Sequence, residues 1–265
     1  MNVLSLFDGM SCGQIALGRV GVTVDNYFAS EIDKYAIKVT QKNYPETKQI
    51  GTVTDVYGKD LPKIDLLMGG SPCQGFSLAG KQLNFNDPRS ALFFDFVRLL
   101  KETSPKYFLL ENVKMKKEYQ DIISGMVGVQ PIEINSAIVS AQNRKRLYWT
   151  NIPNVEQPED KGILLKDVVH ETEFEAVLKN HGKYRSKNNK ANCIDANYFK
   201  GVDNHGQRTQ ILAKGCIRKL TPVECERLQT VPDNYTDGVS NTQRYKMLGN
   251  GWTVDVISHI LKNIM

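Results

Sequence analysis

Two apolar runs constrain this chain more than any other feature. Ile64-Asp65-Leu66-Leu67-Met68 and Lys106-Tyr107-Phe108-Leu109-Leu110 each read as a buried strand. Between them, Ser90 to Glu102 carries Leu92, Phe93, Phe96, Val97, Leu99 and Leu100 at the spacing of a helix packed on a sheet. Two strands joined through one helix run parallel by the right-handed crossover rule. Their carboxyl ends then share one edge of the sheet, where open α/β sheets hold ligands. Both ends are chemically abrupt. The first continues into Gly69-Gly70-Ser71-Pro72-Cys73-Gln74-Gly75-Phe76-Ser77, where two glycines permit a sharp turn and Pro72 stiffens the chain before Cys73. The second ends in Glu111-Asn112-Val113, and a carboxylate directly after a buried strand needs a partner or a function. Cys73 reads either as a nucleophile on a rigid turn or as a small buried residue, cysteine being among the most buried types.

The start of the chain fits the same α/β class. Val3 to Phe7 reads as a strand, Asp8 to Gly13 as a loop of small residues, and Gln14 to Val20 as the start of a helix. Val24 to Ser30 reads as a second strand ending at Glu31, about 20 residues past the loop, where nucleotide-binding α/β units hold ribose hydroxyls. Glu31 and Asp33 read equally as acids favoured by a helix N-terminus. The loop is not Gly-x-Gly-x-x-Gly and offers fewer close amides than a pyrophosphate needs. A cofactor without phosphate, such as S-adenosylmethionine, suits it better than a dinucleotide, although the loop alone does not decide. Ile50 to Val56 reads as an extended edge segment. Gly80 to Arg89 reads as a polar loop, either a lid or a surface connection. Ile132 to Val139 and Leu147 to Thr150 read as strands flanking Gln142-Asn143-Arg144-Lys145-Arg146, a solvated turn or a holder of polar substrate.

The texture changes between Pro153 and Pro158, and beyond Lys166 the periodicity fades. Lys179, Lys183, Arg185, Lys187 and Lys190 come without an acid between them, as on a phosphate-contacting surface or in a solvated loop. Asn192 to Gly201 reads as ordered, and the region as a small second domain. Thr221, Pro222 and Glu224 form a helix start with cap, first-turn proline and capping-box acid. Trp252 to Ile264 reads as an amphipathic terminal helix. A net charge of +5 permits a polyanionic partner without requiring one. The five cysteines are scattered without metal-ligand spacing, which argues for reduced thiols and against a metal site. The first residues do not read as a signal peptide and no apolar run approaches the ~18 residues of a membrane span, so a cytoplasmic protein is expected.

Taken in order, Phe7-Asp8-Gly9, Glu31, Gly70-Ser71-Pro72-Cys73-Gln74, Glu111-Asn112-Val113, Gln142 to Arg146, Arg218 to Cys225 and Gly249-Asn250-Gly251 resemble the motif series of DNA cytosine-5 methyltransferases. The similarity spans nearly the whole chain. Gly80 to Asp95 looks like the corresponding stretch of small bacterial enzymes. Tyr235 to Gly249, and the short gap between Glu111 and Gln142, look closer to the animal de novo methyltransferases. The resemblance implies a Rossmann-like S-adenosylmethionine-dependent sheet over residues 1–165 and 245–265, with a small target-recognition domain over 166–244. It implies that Cys73 attacks C6 of a flipped cytosine, that Glu111 holds N3 and the amino group, and that Arg146 with Arg144 holds O2 and the carboxylate geometry. Phe7, Asp8, Gly9, Gly13, Glu31, Ile32, Thr52, Val53, Ser71, Pro72, Leu92, Asn250 and Gly251 would line the cofactor. Gln74, Ser77, Lys81, Arg89, Lys187, Tyr198 and Lys200 would contact double-stranded DNA. The resemblance also implies action as a monomer; a restriction endonuclease partner is compatible with it and not readable from the chain.

Three departures stand out. Ser11 occupies a position where the family often has glycine. Thr52 stands where the family usually has an aspartate for the adenine amino group, and Asp55, three residues on, faces the other way if the segment is extended. The stretch from Arg146 to Arg218 is short, so recognition of few base pairs is expected. An RNA cytosine methyltransferase on the same scaffold is the first alternative, but the Cys-Phe-Thr signature of the eukaryotic tRNA enzymes is absent. A catalytically silent DNA-binding regulator is the second, and such relatives lose the cysteine or the acid that Cys73 and Glu111 retain here.

Overall fold

Side-chain alternation along the first strand sets the layers. The computed structural model describes residues 1–71, 88–186 and 189–264. In β1 (Asn2–Leu6), Leu4 and Leu6 join a cluster with Leu67, Phe93, Phe96, Phe108, Leu110 and Trp149, while Val3 and Ser5 face the other way. The chain continues through α1 (Cys12–Arg19), β2 (Asn26–Ser30), α2 (Lys34–Asn43), β3 (Lys48–Gln49), β4 (Leu66–Gly70), α3 (Pro88–Thr103), β5 (Tyr107–Val113), α4 (Lys117–Val127), β6 (Ile132–Asn135), β7 (Gln142–Asn143) and β8 (Lys145–Thr150). There follow β9 (Glu175–Asn180), β10 (Lys183–Ser186), β11 (Ala191–Asn192), β12 (Gln210–Ala213), β13 (Cys216–Lys219), α5 (Pro222–Leu228), α6 (Asn241–Asn250) and α7 (Val254–Leu261).

The chain divides into two units. The first comprises Met1–Ile134, Lys145–Glu156 and Ser258–Met265; the second comprises Asn135–Arg144 and Gln157–Ile257. The first is built on a seven-stranded sheet of order β3-β2-β1-β4-β5-β8-β6. β1 pairs in parallel with both β2 and β4, and β4 with β5, so the two apolar runs are the parallel neighbours expected. Strand order reverses between β1 and β4, which opens a crevice at their carboxyl ends. Phe93, Phe96, Val97 and Leu99 of α3 and Ile123 and Val127 of α4 cover one face. Each such side chain contributes on the order of 1.5–3 kcal/mol by leaving water. Gly13 of α1 meets the opposite face so closely that a Cβ there would lie 2.7 Å from Met68 Cε and 2.9 Å from the Tyr27 hydroxyl.

Two stretches expected to be extended are not. Within Ile50 to Val56, Val53–Asp55 is a 3-10 turn; the ladder with β2 covers Lys48–Gln49 and ends as Ile50 N donates to Ala29 O at 2.9 Å. Ile132 to Val139 leaves the sheet at Asn135 and becomes a 3-10 turn over Ser136–Ile138, started by Asn135 Oδ1 accepting from Ala137 N at 3.1 Å. In the second unit, β10, β9, β12 and β13 form an antiparallel sheet. The lysine-rich stretch is thus for the most part the β9–β10 hairpin rather than a loop. Thr221, Pro222 and Glu224 form the expected capping box at the start of α5. Among the described residues no helix is long and apolar enough to cross a membrane.

Candidate active site

The loop after β1 holds three left-handed residues in five: Phe7 (φ 56°), Gly9 (φ 58°) and Ser11 (φ 59°). Gly9 adopts this region freely, whereas Phe7 and Ser11 each cost about 1–2 kcal/mol through Cβ crowding. Surrounding hydrogen bonds hold the strain. Asp8 N donates to Ser30 O at 3.2 Å, and Gly9 N donates to Glu31 Oε2 at 2.7 Å. Glu31 Oε1 accepts from Ile32 N at 2.7 Å and Asp33 N at 2.8 Å. Glu31 is therefore the clasp between the loops that follow β1 and β2, and Asp33 separately caps α2. The Asp8 carboxylate accepts from the Tyr27 hydroxyl at 2.7 Å and from the Ser11 hydroxyl. Burial, with the Glu31 charge as a smaller contribution, pushes the Asp8 carboxyl up to about 6, although the hydrogen bonds from Ser11 and Tyr27 oppose this. Ser11 thus occupies a backbone position suited to glycine, and its bond to Asp8 offsets part of the strain. Ile32, beside Glu31, is 77% exposed, a large apolar side chain left open to solvent.

The 3-10 turn changes the reading of Thr52. Residues three apart eclipse in such a turn, so Asp55 comes back to the side of Thr52 instead of opposing it. A hydroxyl relay links them: Thr52 Oγ1 lies 3.1 Å from Thr54 Oγ1, which donates to Asp55 Oδ1 at 3.1 Å. Arg98 of α3 fixes this turn from outside, donating to Val53 O at 3.1 Å and Val56 O at 2.9 Å while paired with Asp95 and Glu102. Sequence reading passed over Arg98; its signal is the Asp95–Arg98–Glu102 spacing on one helix face. Leu92, earlier on α3, is partly buried against the sheet cluster.

At the carboxyl end of β4, Gly70 pairs with Glu111 of β5. Ser71 is buried, and its hydroxyl accepts from Asn112 Nδ2 at 3.1 Å. Asn112 thereby ties Ser71, at the end of β4, to β5. Glu111 and Arg146 lie diagonally on antiparallel β5 and β8, with Val113 opposite Arg146 and Glu111 opposite Tyr148. Arg146 Nε lies 2.9 Å from Glu111 Oε1, with their side chains only 14% and 12% exposed. Such a pair is costly to build from water and is held by geometry rather than by net gain. Arg146 thus holds one oxygen of the Glu111 carboxylate.

Arg144 does not share that task. Its guanidinium, in the second unit, donates to Ile194 O and Cys193 Sγ, each at 3.1 Å, and to Gly249 O at 3.1 Å and Gly251 O at 2.8 Å. Tyr198 also departs from expectation. It starts a 3-10 turn over Tyr198–Lys200, is 2% exposed, and its hydroxyl donates to Thr209 O and accepts from Leu220 N. A phenol so enclosed is not a DNA contact; burial pushes it well above its usual range. Lys200 and Asn250 are exposed, and Gly251 caps α6. Arg89 stands on α3. Pro72, Cys73, Gln74, Ser77, Lys81 and Lys187 lie outside the described residues, as does most of the Gly80 to Arg89 loop.

A family model for C-5 cytosine-specific DNA methylases matches residues 1–199 and 153–265. The chain is 34% identical to type II methyltransferase M1.ScrFI of Lactococcus lactis subsp. cremoris, covering all of this chain and 78% of that protein. It is 31% identical to type II methyltransferase M.SsoII of Shigella sonnei, over all of this chain and 80% of the relative. Among solved structures, Entamoeba histolytica methyltransferase EhMeth superposes with a TM-score of 0.80 at 18% identity, covering 100% of this chain and 97% of that one.

Proposed function

Since the chain belongs to the C-5 cytosine-specific DNA methylases, we propose that it methylates C5 of a cytosine flipped from a short duplex sequence, through a covalent bond between Cys73 and C6. The observation that carries this reading is the largely buried Glu111–Arg146 pair, in register with the strand that runs into Ser71-Pro72-Cys73. C5 of cytosine is too poor a nucleophile to act unaided. Attack of the Cys73 thiolate on C6 places an electron pair on C5 and N3, making C5 enamine-like. Glu111 holds the proton at N3 and accepts from the amino group, while Arg146 donates to O2 and keeps Glu111 in place. Once C5 carries the methyl group, a base takes the C5 proton, the C6–sulfur bond breaks, and Cys73 departs as the ring regains its C5–C6 double bond.

S-adenosylmethionine supplies the electrophilic methyl group. The residues at the switch point fit it: Glu31 as a fixed acid for ribose hydroxyls, exposed Ile32 as an apolar platform, and the left-handed Gly9 where close approach is needed. Phe7, Asp8, Gly13, Thr52, Val53, Ser71, Pro72, Leu92, Asn250 and Gly251 complete the proposed lining. Residues 166–244 would read bases in the major groove, with Lys200, Lys187, Arg89, Lys81, Gln74 and Ser77 on DNA and Tyr198 excluded. The type II relatives support a restriction-modification role in which one short site is marked; action as a monomer is part of the proposal.

Duplex DNA carrying 5-fluorocytosine tests the chemistry. Fluorine cannot leave C5 as a proton does, so with S-adenosylmethionine present the Cys73–C6 bond persists and a denaturation-resistant protein–DNA adduct accumulates. Cys73→Ser should abolish the adduct while duplex binding persists. Adduct formation by the Cys73→Ser variant would refute the mechanism.

A further inference from the structure

Arg144 is buried, 3% exposed, yet among the described residues it meets no carboxylate. A desolvated guanidinium without an acid is expensive, and an apolar side chain of similar volume would stabilise the unit at least as well. What it touches explains why it is there. Two of its donors reach the carbonyls of Gly249 and Gly251, on either side of exposed Asn250. These are the last carbonyls of α6, which carry the negative end of the helix dipole and satisfy a cation. A third donor reaches Ile194 O, one residue before the Asp195–Ala196 peptide.

That peptide is itself pressed against the turn. A Cβ on Gly249 would lie 2.1 Å from the Asp195 carbonyl carbon and 2.3 Å from Ala196 N. A second buried side chain closes the other side: Gln229 Nε2 donates to Leu248 O at 2.7 Å and Gly251 O at 3.1 Å. Gln229 Oε1 in turn accepts from Gln142 Nε2 at 3.0 Å and Thr253 Oγ1 at 2.8 Å. Gln142 and Arg144 are thus two members of one buried knot, and the side chain that the knot presents to solvent is Asn250.

We infer that Arg144 is a positioning residue for the Gly249–Gly251 turn, holding Asn250 preorganised for the cofactor, and that within the Gln142–Arg144–Arg146 series only Arg146 serves the cytosine. This rests on the proposed reading of Asn250 and Gly251 as cofactor lining. A turn clamped by backbone contacts on both sides binds without an ordering cost, so its loosening weakens binding more than chemistry.

Calorimetry with S-adenosylhomocysteine, set beside kcat at saturating DNA and S-adenosylmethionine, tests it. Arg144→Lys keeps the charge but loses the fork that reaches several carbonyls at once. It should raise the Kd about tenfold while kcat stays within about threefold of the parent. Arg146→Lys should do the reverse. If Arg144 acts through the turn, Arg144→Lys combined with Asn250→Ala should be no weaker than the poorer single variant. Should Arg144→Lys fail to fold, Arg144→Met removes the clamp without burying an unpaired charge and must show the same split. Asn250→Ala without effect on Kd would defeat the cofactor reading of the turn. An effect of Asn250→Ala with none from Arg144→Lys, additive Kd effects, or a fall in kcat at unchanged Kd would overturn the role of Arg144.

Discussion

Asp8→Asn is the substitution whose outcome the structure sets most tightly. The folded protein holds the Asp8 proton more firmly than the unfolded chain does, with the carboxyl lifted from 3.8 to about 6, chiefly by burial. The associated stability is fully present below pH 3.8 and is lost as pH rises through 6. A shift of about two units corresponds to about 3 kcal/mol in all, of which about 1.4 kcal/mol falls between pH 5 and pH 8. Asparagine keeps the shape and an acceptor for Tyr27 but does not titrate. The stability of Asp8→Asn relative to the parent should therefore improve by about 1.4 kcal/mol from pH 5 to pH 8, whatever its offset at either pH. The sequence has two tryptophans; Trp149 belongs to the core of the first unit and Trp252 to the second unit. In a Trp252→Phe background, urea unfolding followed by fluorescence then reports the unit that contains Asp8. A stability difference independent of pH would refute the assignment of a buried, proton-holding carboxyl in this loop.

Three other changes have defined outcomes. Glu226 is fully buried and accepts from Arg244, Thr236 and Asn234, so Glu226→Gln should leave the Arg244 charge uncompensated and cost about 3–5 kcal/mol of second-unit stability by Trp252 fluorescence in a Trp149→Phe background. Arg98→Met frees the Val53 and Val56 carbonyls and should weaken cofactor binding several-fold by calorimetry with the first unit still folded; an unchanged Kd would show that the turn needs no clamp. Thr52→Asp should tighten cofactor binding, and an equal or looser Kd would count against placing the adenine amino group there.

What the sequence made legible follows from burial. β4 and β5 are covered on both faces, so they appear as short continuous apolar runs, and their parallel pairing needed only the intervening helix. Glu111 was legible because it ends such a run, and Glu31 because it ends a strand about 20 residues past the first loop. The 3-10 turn at Val53–Asp55 was not, since three residues carry no period to detect. Arg144 and Arg146 share parity with Gln142, so an extended reading puts all three on one face. The strand is interrupted at Arg144, where the backbone bonds Asn135 Oδ1 and Ser136 N, and the alternation restarts in β8. One arginine thereby goes to the α6 turn and the other to Glu111. Tyr198 was placed on DNA by the resemblance alone; its burial depends on Thr209 and Leu220, distant in sequence.

The measurement that bears most directly on the account is incubation with S-adenosylmethionine and unmethylated plasmid DNA, followed by base-resolved sequencing of both strands. The account predicts 5-methylcytosine confined to one short sequence context, absent with Cys73→Ala. Methylation of tRNA alone, or of a DNA atom other than C5 of cytosine, would contradict it.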